Sequence, residues 1–354
     1  MKIAVGLSGG VDSAVAAFLL KEQKHDIYGV TMRIWSGDDS AESTRHACYG
    51  PGEESEILRA AEICEVLGIS HHVFDLSAEY EKTILGYFKN EYLGGRTPNP
   101  CVMCNQSMKF GLLPAFANDA VGAEVFATGH YAKIEKDKES GRSVLRKARD
   151  LSKDQTYFIH RLTQDQLHRA VFPLGDLMKE EVREIAKSKG LPSWNDPESQ
   201  DFYDGDYKDL IGHADEPGDI VDNNGSVLGK HSGIWNYTVG QRRGLGIAAP
   251  EPLYVTEINA PLRRVIVAPK HDSMRGSFNA AGFNWVSRNS VDKKATYTVK
   301  TRSSQPGSAC VVEAVNDTTL LIHLEKPECG IAAGQSAVLY EGDILIGGGI
   351  IEYR

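Results

Sequence analysis

Hydrophobic and polar positions follow two different patterns along the chain. The short apolar run at 2–5 predicts a β-strand, and the unbroken apolar stretch at 14–20 predicts a helix after it. Further strand-like segments lie at 25–35, 71–76 and 124–130, and further helical ones at 54–68, 79–93 and 111–122. Strands that alternate with helices predict an α/β domain, a parallel sheet with helices on both faces.

The pattern changes after about residue 195, where Pro, Gly, Asp and Asn become common and the segments of 231–350 become short and alternating. Such segments are typical of small β-rich domains. We predict a catalytic α/β domain at 1–200, a small central β-rich domain at 201–271 and a C-terminal β-barrel at 272–354. In the parallel sheet, ligands are expected beyond the carboxyl ends of the strands, so the loops there should converge. These loops are 6–13, 32–50, 97–105 and 127–132.

Composition narrows the class of protein. The 354 residues are 41% hydrophobic and 25% charged, as in a globular protein. The sequence has neither an apolar run of about 20 residues nor a signal peptide, so we expect a cytoplasmic protein with no membrane partner. The six cysteines then indicate thiols and not a secreted disulfide framework.

Charge is unevenly distributed. The net charge is −9, yet 261–302 holds nine basic and two acidic residues, while 196–222 holds ten acidic residues and one lysine. A basic region on an acidic protein favours a polyanion bound at one end. A solvated β-surface is the alternative interpretation.

The first strand and helix are joined by Ser-Gly-Gly-Val-Asp-Ser at 8–13. A tight strand-to-helix turn points backbone N–H groups and the positive end of a helix dipole outward, which favours phosphate. The segment has neither the Gly-Lys-Ser/Thr of a Walker A loop nor the GxGxxG of a dinucleotide fold. It resembles the pyrophosphate loop of the ATP-pyrophosphatase (PP-loop) enzymes; an ordinary capped turn is the alternative.

Further motifs resemble one family within that superfamily, the tRNA-specific 2-thiouridylases, over nearly the whole chain. The motifs are TPNPCVMCNQSMKFG (97–111), ATGHYA (127–132), KDQTYF (153–158), ESQD (198–201), YTVGQRRGLG (237–246) and AGQSAVLYEGDILIGGGII (333–351). The resemblance implies ATP-dependent replacement of the C2 oxygen of the wobble uridine by sulfur. Adenylation would turn this oxygen into a leaving group that departs with AMP.

The resemblance also assigns residues to ATP and to catalysis. It places Mg²⁺ near Asp12, which would act in catalysis, and makes Cys104 the sulfur nucleophile. A helix is predicted to start just after Cys104, and Lys109 is near. The ATP-binding residues that it implies are Gly6, Leu7, Ser8, Gly9, Gly10, Val11, Asp12, Ser13, Met32 and Gly129.

Residues that contact tRNA follow from the same resemblance, with no DNA partner expected. They are His130, Lys153, Asp154, Gln155, Arg242, Arg243, Arg302 and Gln335. Three of these assignments have a structural alternative: His130 as a hydrogen-bonded loop residue, Asp154 as a helix cap, and the two arginines at 242–243 as a solvated turn. The Tyr-Arg contact expected after Arg302 reads Ser303-Ser304 here, which leaves Arg302 alone.

The chain departs from the family at the second catalytic cysteine, which carries a persulfide in the common form. The corresponding segment reads ESQDFYDGDY, and Tyr203 takes the place of the cysteine. The remaining cysteines Cys64, Cys310 and Cys329 are expected to be buried and inert. The sulfur chemistry therefore has to involve other residues.

Three hypotheses explain the CxxC pair of Cys101 and Cys104. With Cys48, the pair would hold a [4Fe–4S] cluster whose free iron binds sulfide. Alternatively, Cys104 carries a persulfide that Cys101, also catalytic, resolves as a disulfide. The third hypothesis is a structural turn with unreactive thiols. The sulfur donor stays open between a cysteine desulfurase, a sulfur-relay protein and sulfide.

Two other functions remain as alternatives. Another PP-loop adenylating synthetase would share the loop but would not explain the CxxC pair. A tRNA-binding or sulfur-carrier protein that has lost catalysis would explain the missing cysteine but not the intact loop. A tRNA-dependent exchange of pyrophosphate into ATP distinguishes an adenylating enzyme from a carrier.

Overall fold

The computed structural model describes residues 1–37, 47–195, 201–203, 205–292 and 294–353. The chain divides into two compact units. The first comprises Met1–Ile84, Cys101–Gly205 and Asp343–Leu345, and the second comprises Leu85–Pro100, Asp206–Gly342 and Ile346–Arg354. This division follows packing and not chain order. The three domain boundaries expected above therefore stay predictions.

Helices and strands are numbered in chain order over the described residues. The strands β1 to β19 are Lys2–Gly6, Asp26–Arg33, Ala47–Tyr49, His71–Asp75, Val125–Ala127, Ala132–Lys136, Ser143–Lys147, Ala170–Val171, Asp201–Tyr203, Gly218–Val221, Val227–His231, Leu253–Asn259, Arg264–Pro269, Met274–Trp285, Tyr297–Lys300, Ser308–Asn316, Thr319–Cys329, Ser336–Glu341 and Ile344–Glu352. The helices α1 to α9 are Val11–Glu22, Glu53–Leu67, Ser77–Tyr80, Gly86–Leu93, Pro100–Cys104, Leu113–Val121, Gln164–Arg169, Lys179–Ser188 and Tyr207–Ile211. Two π-helical segments, Glu81–Leu85 and Asn105–Leu112, continue α3 and α5.

A parallel sheet forms the centre of the first unit. Its strand order is β4-β2-β1-β5-β8, and each neighbouring pair is parallel. The predicted α/β fold is therefore confirmed. The sheet and α1 share a core in which Val5, Ala14, Val15 and Ile63 are fully buried, because the apolar positions of strand and helix face each other.

Helix α2 shows how closely local signals set the element bounds. The apolar period of 54–68 predicted a helix that stops at glycine, and the helix spans Glu53–Leu67. Gly68 adopts φ 58°, a left-handed conformation that closes helices and that glycine adopts without steric cost.

The second unit is built largely from strands. β10 to β13 form a mixed four-stranded sheet of order β11-β10-β13-β12. β14 to β19 form a six-stranded barrel, which closes where β14 pairs with β19. The predicted C-terminal barrel is confirmed. No helix in the described ranges is long and apolar enough to cross a membrane.

Candidate active site

The loop at 8–13, called the pyrophosphate loop below, joins β1 to α1. No side chain caps α1 at Gly10, so the first N–H groups of the helix are oriented as an anion site. The Ser13 hydroxyl donates to the Gly10 carbonyl at 2.9 Å and accepts from the Ser8 amide at 3.3 Å. These two bonds hold the loop in a narrow turn.

Neighbouring elements fix the shape of this loop. Gly9 has φ 74°, and a Cβ there would lie 2.6 Å from the Glu56 carbonyl oxygen, so only glycine fits. The hydroxyl groups of Thr31 and Ser193 donate to the carbonyl oxygens of Leu7 and Gly9 at 2.9 and 2.7 Å. The loop is therefore preorganised before any ligand binds.

A second loop packs directly against the start of α1. A Cβ at Gly129 would lie 2.7 Å from the backbone of both Asp12 and Ser13, so the ATGHYA segment approaches backbone to backbone. The expected convergence of 6–13 with 127–132 is thus observed. Met32 lies near the carboxyl end of β2, and Gly6 ends β1, at the same edge of the parallel sheet.

The carboxylate of Asp12 is held by two side chains that sequence analysis did not identify. The ammonium Nζ of Lys179 lies 2.8 Å from both carboxylate oxygens, and the Tyr131 hydroxyl donates to Oδ1 at 2.8 Å. Lys179 is 167 residues from Asp12 in the chain. Its only local signal is its position at the start of the amphipathic helix α8, which does not reveal its partner.

The CxxC pair lies inside a helix, and this corrects one expectation. The nucleophile was expected just before a helix N-terminus, but α5 already starts at Pro100 and continues through the π-helical segment into α6. Proline is favoured in the first turn because it has no N–H to leave unpaired. Cys101 therefore lies in the first turn, and Cys104 is buried one turn later.

Lys109 is the positive charge that the three thiols share. Burial raises the pKa of Cys104 to about 11, Cys48 adds to that rise, and Lys109 opposes it. Burial lowers the pKa of Lys109, but the attraction of Cys104, Cys48, Cys101 and Glu56 outweighs this and raises it. Cys48 is exposed as a residue, yet the protein around its thiol raises its pKa as well. At neutral pH the thiols of Cys104 and Cys48 are therefore protonated in the resting protein.

The arrangement of the thiols does not fit the iron–sulfur hypothesis. Among the described residues, no three His, Cys, Asp or Glu side chains are close enough to share a metal ion. What the three cysteines share is an electrostatic interaction with Lys109. The cluster stays a prediction, and the Discussion gives its test.

Tyr203, at the position where a second catalytic cysteine was expected, packs against another aromatic side chain. β9 pairs in parallel with β3, so Tyr203 lies opposite Tyr49, and their ring centroids are 6.3 Å apart. Tyr49 also stacks on Tyr80 at 5.3 Å. β3 carries Cys48, so the segment in which the resemblance led us to expect a second cysteine lies beside Cys48. Residues 196–200 of the ESQD motif region lie outside the described residues.

Glu56 lies between the pyrophosphate loop and the thiols. Its backbone carbonyl faces Gly9, and its side chain, 23% exposed, interacts with Arg59 and Lys109. Burial raises the pKa of Glu56 to about 7, although both cations oppose the rise. A carboxyl group whose pKa lies close to neutral pH exchanges protons readily.

We expect Glu56→Gln to change the pH dependence of stability. The pKa of about 7 in the folded protein lies above the usual glutamate value of 4.5, so the folded protein binds the proton more tightly than the unfolded chain does. The stabilising contribution is complete below about pH 4.5 and is lost as the pH rises through 7. At pH 8 the free energy of unfolding of Glu56→Gln should therefore exceed that of the wild type by at most about 3 kcal/mol. Urea unfolding from pH 5 to 8 measures this, with Glu62→Gln on the exposed face of α2 as control. Parallel curves for Glu56→Gln and wild type would contradict it.

In the first unit, the four residues expected to contact tRNA all have partners within the protein, and the Lys153 amide donates to the Asp150 carbonyl oxygen at 3.1 Å. His130 is buried, its Nδ1 lies 2.8 Å from the Thr128 hydroxyl, and burial lowers its pKa to about 3, so it is neutral. Asp154 accepts from the Ala148 amide and the Thr156 hydroxyl. Gln155 accepts from the Tyr131 amide at 2.9 Å. Gln155 of the KDQ segment therefore supports the loop that carries His130 and Tyr131. Lys153, the first residue of the segment, is half-buried.

In the second unit, Arg242 and Arg243 are exposed in the GQRRGLG turn. Arg302 is instead directed inward: its guanidinium donates to the carbonyl oxygens of Val239 and Gly330. The Gln335 amide donates to the carbonyl oxygens of Thr97 and Pro98, at 3.3 and 2.8 Å. Arg242 and Arg243 are thus the most accessible of the residues expected to contact tRNA.

The parallel sheet, the preorganised loop at the N-terminus of α1 and the carboxylate at its first turn define a PP-loop nucleotide-binding enzyme. The family models that match the chain are described as the tRNA methyl transferase HUP domain at residues 1–203, the tRNA methyl transferase PRC-barrel domain at 208–269, and the aminomethyltransferase β-barrel domain at 275–351.

Curated relatives are similar over nearly their full length. The tRNA-specific 2-thiouridylase MnmA of Endomicrobium trichonymphae is 46% identical, with 99% of both chains covered. MnmA 2 of Thermoanaerobacter sp. (strain X514) is 41% identical over 100% of this chain and 98% of that protein. MnmA of Clostridioides difficile (strain 630) is 39% identical, with 99% and 98% covered. The chain belongs to the tRNA-specific 2-thiouridylase family.

Proposed function

We propose that this protein is an ATP-dependent tRNA-uridine 2-sulfurtransferase that thiolates C2 of the wobble uridine. The observation that carries the proposal is the presence, in one compact unit, of a preorganised pyrophosphate loop and a CxxC pair that interacts with the half-buried cation Lys109. The first group activates an oxygen, and the second supplies a sulfur nucleophile. The family relationship over 99% of the chain supports the same reaction.

The first step is adenylation. The C2 oxygen attacks the α-phosphorus of ATP, pyrophosphate leaves, and the uridine is held as an O2-adenylate. The loop amides and the dipole of α1 stabilise the negative charge that develops on the leaving pyrophosphate. Asp12 is 31% exposed, and a carboxylate has about four acceptor positions, so its present contacts leave room for Mg²⁺. Mg²⁺ would neutralise phosphate charge there.

The second step transfers sulfur. The terminal sulfur of a Cys104 persulfide attacks C2, and AMP departs with the oxygen. Cys101 then attacks the Sγ of Cys104, so that the thiouridine leaves and a Cys101–Cys104 disulfide forms. A dithiol reductant restores the pair. This route suits the site, because the two cysteines lie one helical turn apart. A persulfide is also more acidic than a thiol, so it ionises more readily, and Lys109 can pair with the resulting anion.

The sulfur donor for this route is a cysteine desulfurase or a relay protein that itself carries a persulfide and passes its outer sulfur to the Cys104 thiol. Sulfide enters the route only by attacking the Sγ of Cys104 in the Cys101–Cys104 disulfide, which leaves a Cys104 persulfide and a Cys101 thiol. We place the reaction in the cytoplasm. tRNA-dependent exchange of labelled pyrophosphate into ATP tests the proposal, since it requires the adenylation step. We expect exchange with unmodified tRNA and none without tRNA. A protein that binds tRNA but catalyses no exchange would be a carrier, and exchange with a small amine acceptor instead of tRNA would indicate another synthetase.

We expect exposed lysines of the second unit to contribute to tRNA affinity. Lys270 and Lys294 are exposed in the basic region 261–302, whereas Arg288 is paired with Glu341; Lys293 lies outside the described residues. The double variant Lys270→Ala/Lys294→Ala should weaken binding of all tRNAs and lower the salt slope by about 1 per lysine. Fluorescence titration at several salt concentrations measures this. The exposed pair Lys136 and Lys138 provides the control, and equal slopes for both double variants would place the tRNA elsewhere.

A further inference from the structure

Lys179 and Asp12 form a salt bridge at the pyrophosphate loop. Both carboxylate oxygens lie 2.8 Å from Nζ, and the lysine side chain is 5% exposed against 31% for the aspartate. The Lys179 backbone amide donates to Asp150 at 3.0 Å, and its ammonium also lies 5.8 Å from the centre of the Tyr131 ring. The lysine is therefore fixed behind the carboxylate, on the side away from solvent.

Fold stability does not account for this pair. Burying a lysine costs hydration energy that a single carboxylate rarely repays in full. The negative charge of Asp12 is stabilised without any cation, because the first turn of α1 already attracts negative charge. The pair therefore has to be explained by the site.

The salt bridge reduces an electrostatic repulsion between Asp12 and an anion bound at the pyrophosphate loop. An anion at the N-terminus of α1 would lie beside Asp12, and an uncompensated carboxylate would repel pyrophosphate. With Lys179 bound to both oxygens, the aspartate adds no net charge, so the helix dipole and the amides still attract the anion.

We propose that Lys179 is a positioning residue of the pyrophosphate site: it balances the charge of Asp12 and fixes its carboxylate, so that the loop accepts pyrophosphate. This rests on the proposed function and goes beyond it by adding a residue that acts through Asp12. Asp12 keeps an exposed edge for a metal, while its repulsion of the phosphates is suppressed.

The test is binding of inorganic pyrophosphate in EDTA, measured by calorimetry at low fixed ionic strength. Without metal, Asp12 acts only as a charge. Lys179→Gln should weaken binding by at least about 10-fold, because it leaves that charge uncompensated. Lys179→Arg should stay within about 3-fold of wild type. Lys187→Gln, on the same helix but against the Trp194 ring, is the control and should bind as wild type does.

The double variant Asp12→Asn/Lys179→Gln is decisive. If Lys179 acts through Asp12, removing both charges restores most of the lost affinity, to within about 3-fold of wild type. Equal affinity of Lys179→Gln and wild type overturns the inference, and so does a double variant as weak as Lys179→Gln. Thermal unfolding shows whether each variant is folded. If the double variant Asp12→Asn/Lys179→Gln does not fold, the double variant Asp12→Asn/Lys179→Met is used in its place. If the wild type itself binds no pyrophosphate, the loop assignment in the proposed function fails instead.

Discussion

We expect Asp12→Ala to abolish tRNA thiolation in an ATP-dependent assay while the protein keeps its fold. The carboxylate lies at the first turn of α1, where it is held by Lys179 and Tyr131 and offers an edge to a metal. Removing it takes away the carboxylate that would hold Mg²⁺ against the leaving pyrophosphate, and preorganised groups at such a position contribute about 10²–10³-fold to the rate. Ser13→Ala has the same consequence, since its hydroxyl bonds to Gly10 and Ser8 close the loop. Mass spectrometry of digested tRNA measures the thiouridine.

The matched control is Asp119→Ala, a carboxylate on the exposed face of α6. It should thiolate tRNA at the wild-type rate, and far-ultraviolet circular dichroism should show all three variants folded. Thiouridine formation by Asp12→Ala at the rate of Asp119→Ala would remove the pyrophosphate loop from the mechanism.

Cys104→Ala separates the two chemical steps. We expect no thiouridine but normal tRNA-dependent pyrophosphate exchange, because adenylation uses the loop at 8–13 and sulfur transfer uses the thiol. Cys101→Ala should stop after a single turnover, with the tRNA still attached to Cys104 through a disulfide that dithiothreitol releases. Cys329→Ala, a half-buried thiol in the barrel, is the control. A Cys104→Ala enzyme that still thiolates tRNA would refute the nucleophile assignment.

Cys48→Ala tests the thiol route against the iron–sulfur cluster. Since the described cysteines form no metal-binding group, we expect protein purified without iron to thiolate tRNA and Cys48→Ala to remain active. Anaerobic purification with iron and sulfide analysis checks this. A wild type that needs iron, together with a Cys48→Ala variant that loses both chromophore and sulfur transfer but keeps exchange, would establish the cluster.

Local sequence signals predicted most of the fold. The strand at 2–5, the helix after it and the helix ending at Gly68 lie within a few residues of their predicted bounds, because hydrophobic period and glycine conformation act over one or two turns. The start of α5 was misplaced for a local reason too. The NPC segment has the composition of a loop, whereas proline also suits the first turn of a helix.

In the candidate site, too, some residues were predicted from local sequence signals and others were identified only from the tertiary structure. The residues of 8–13 and the pair Cys101 and Cys104 are readable from the sequence by itself, since their spacing within a few residues is what places an anion site or two neighbouring thiols. Tertiary structure alone decided that Lys179 holds Asp12, that Lys109 faces three thiols, and that burial raises the pKa of Glu56 to about 7. Each of these depends on a charge or on burial supplied by a segment distant in the chain, and electrostatic energy depends on separation in space and not on separation in sequence.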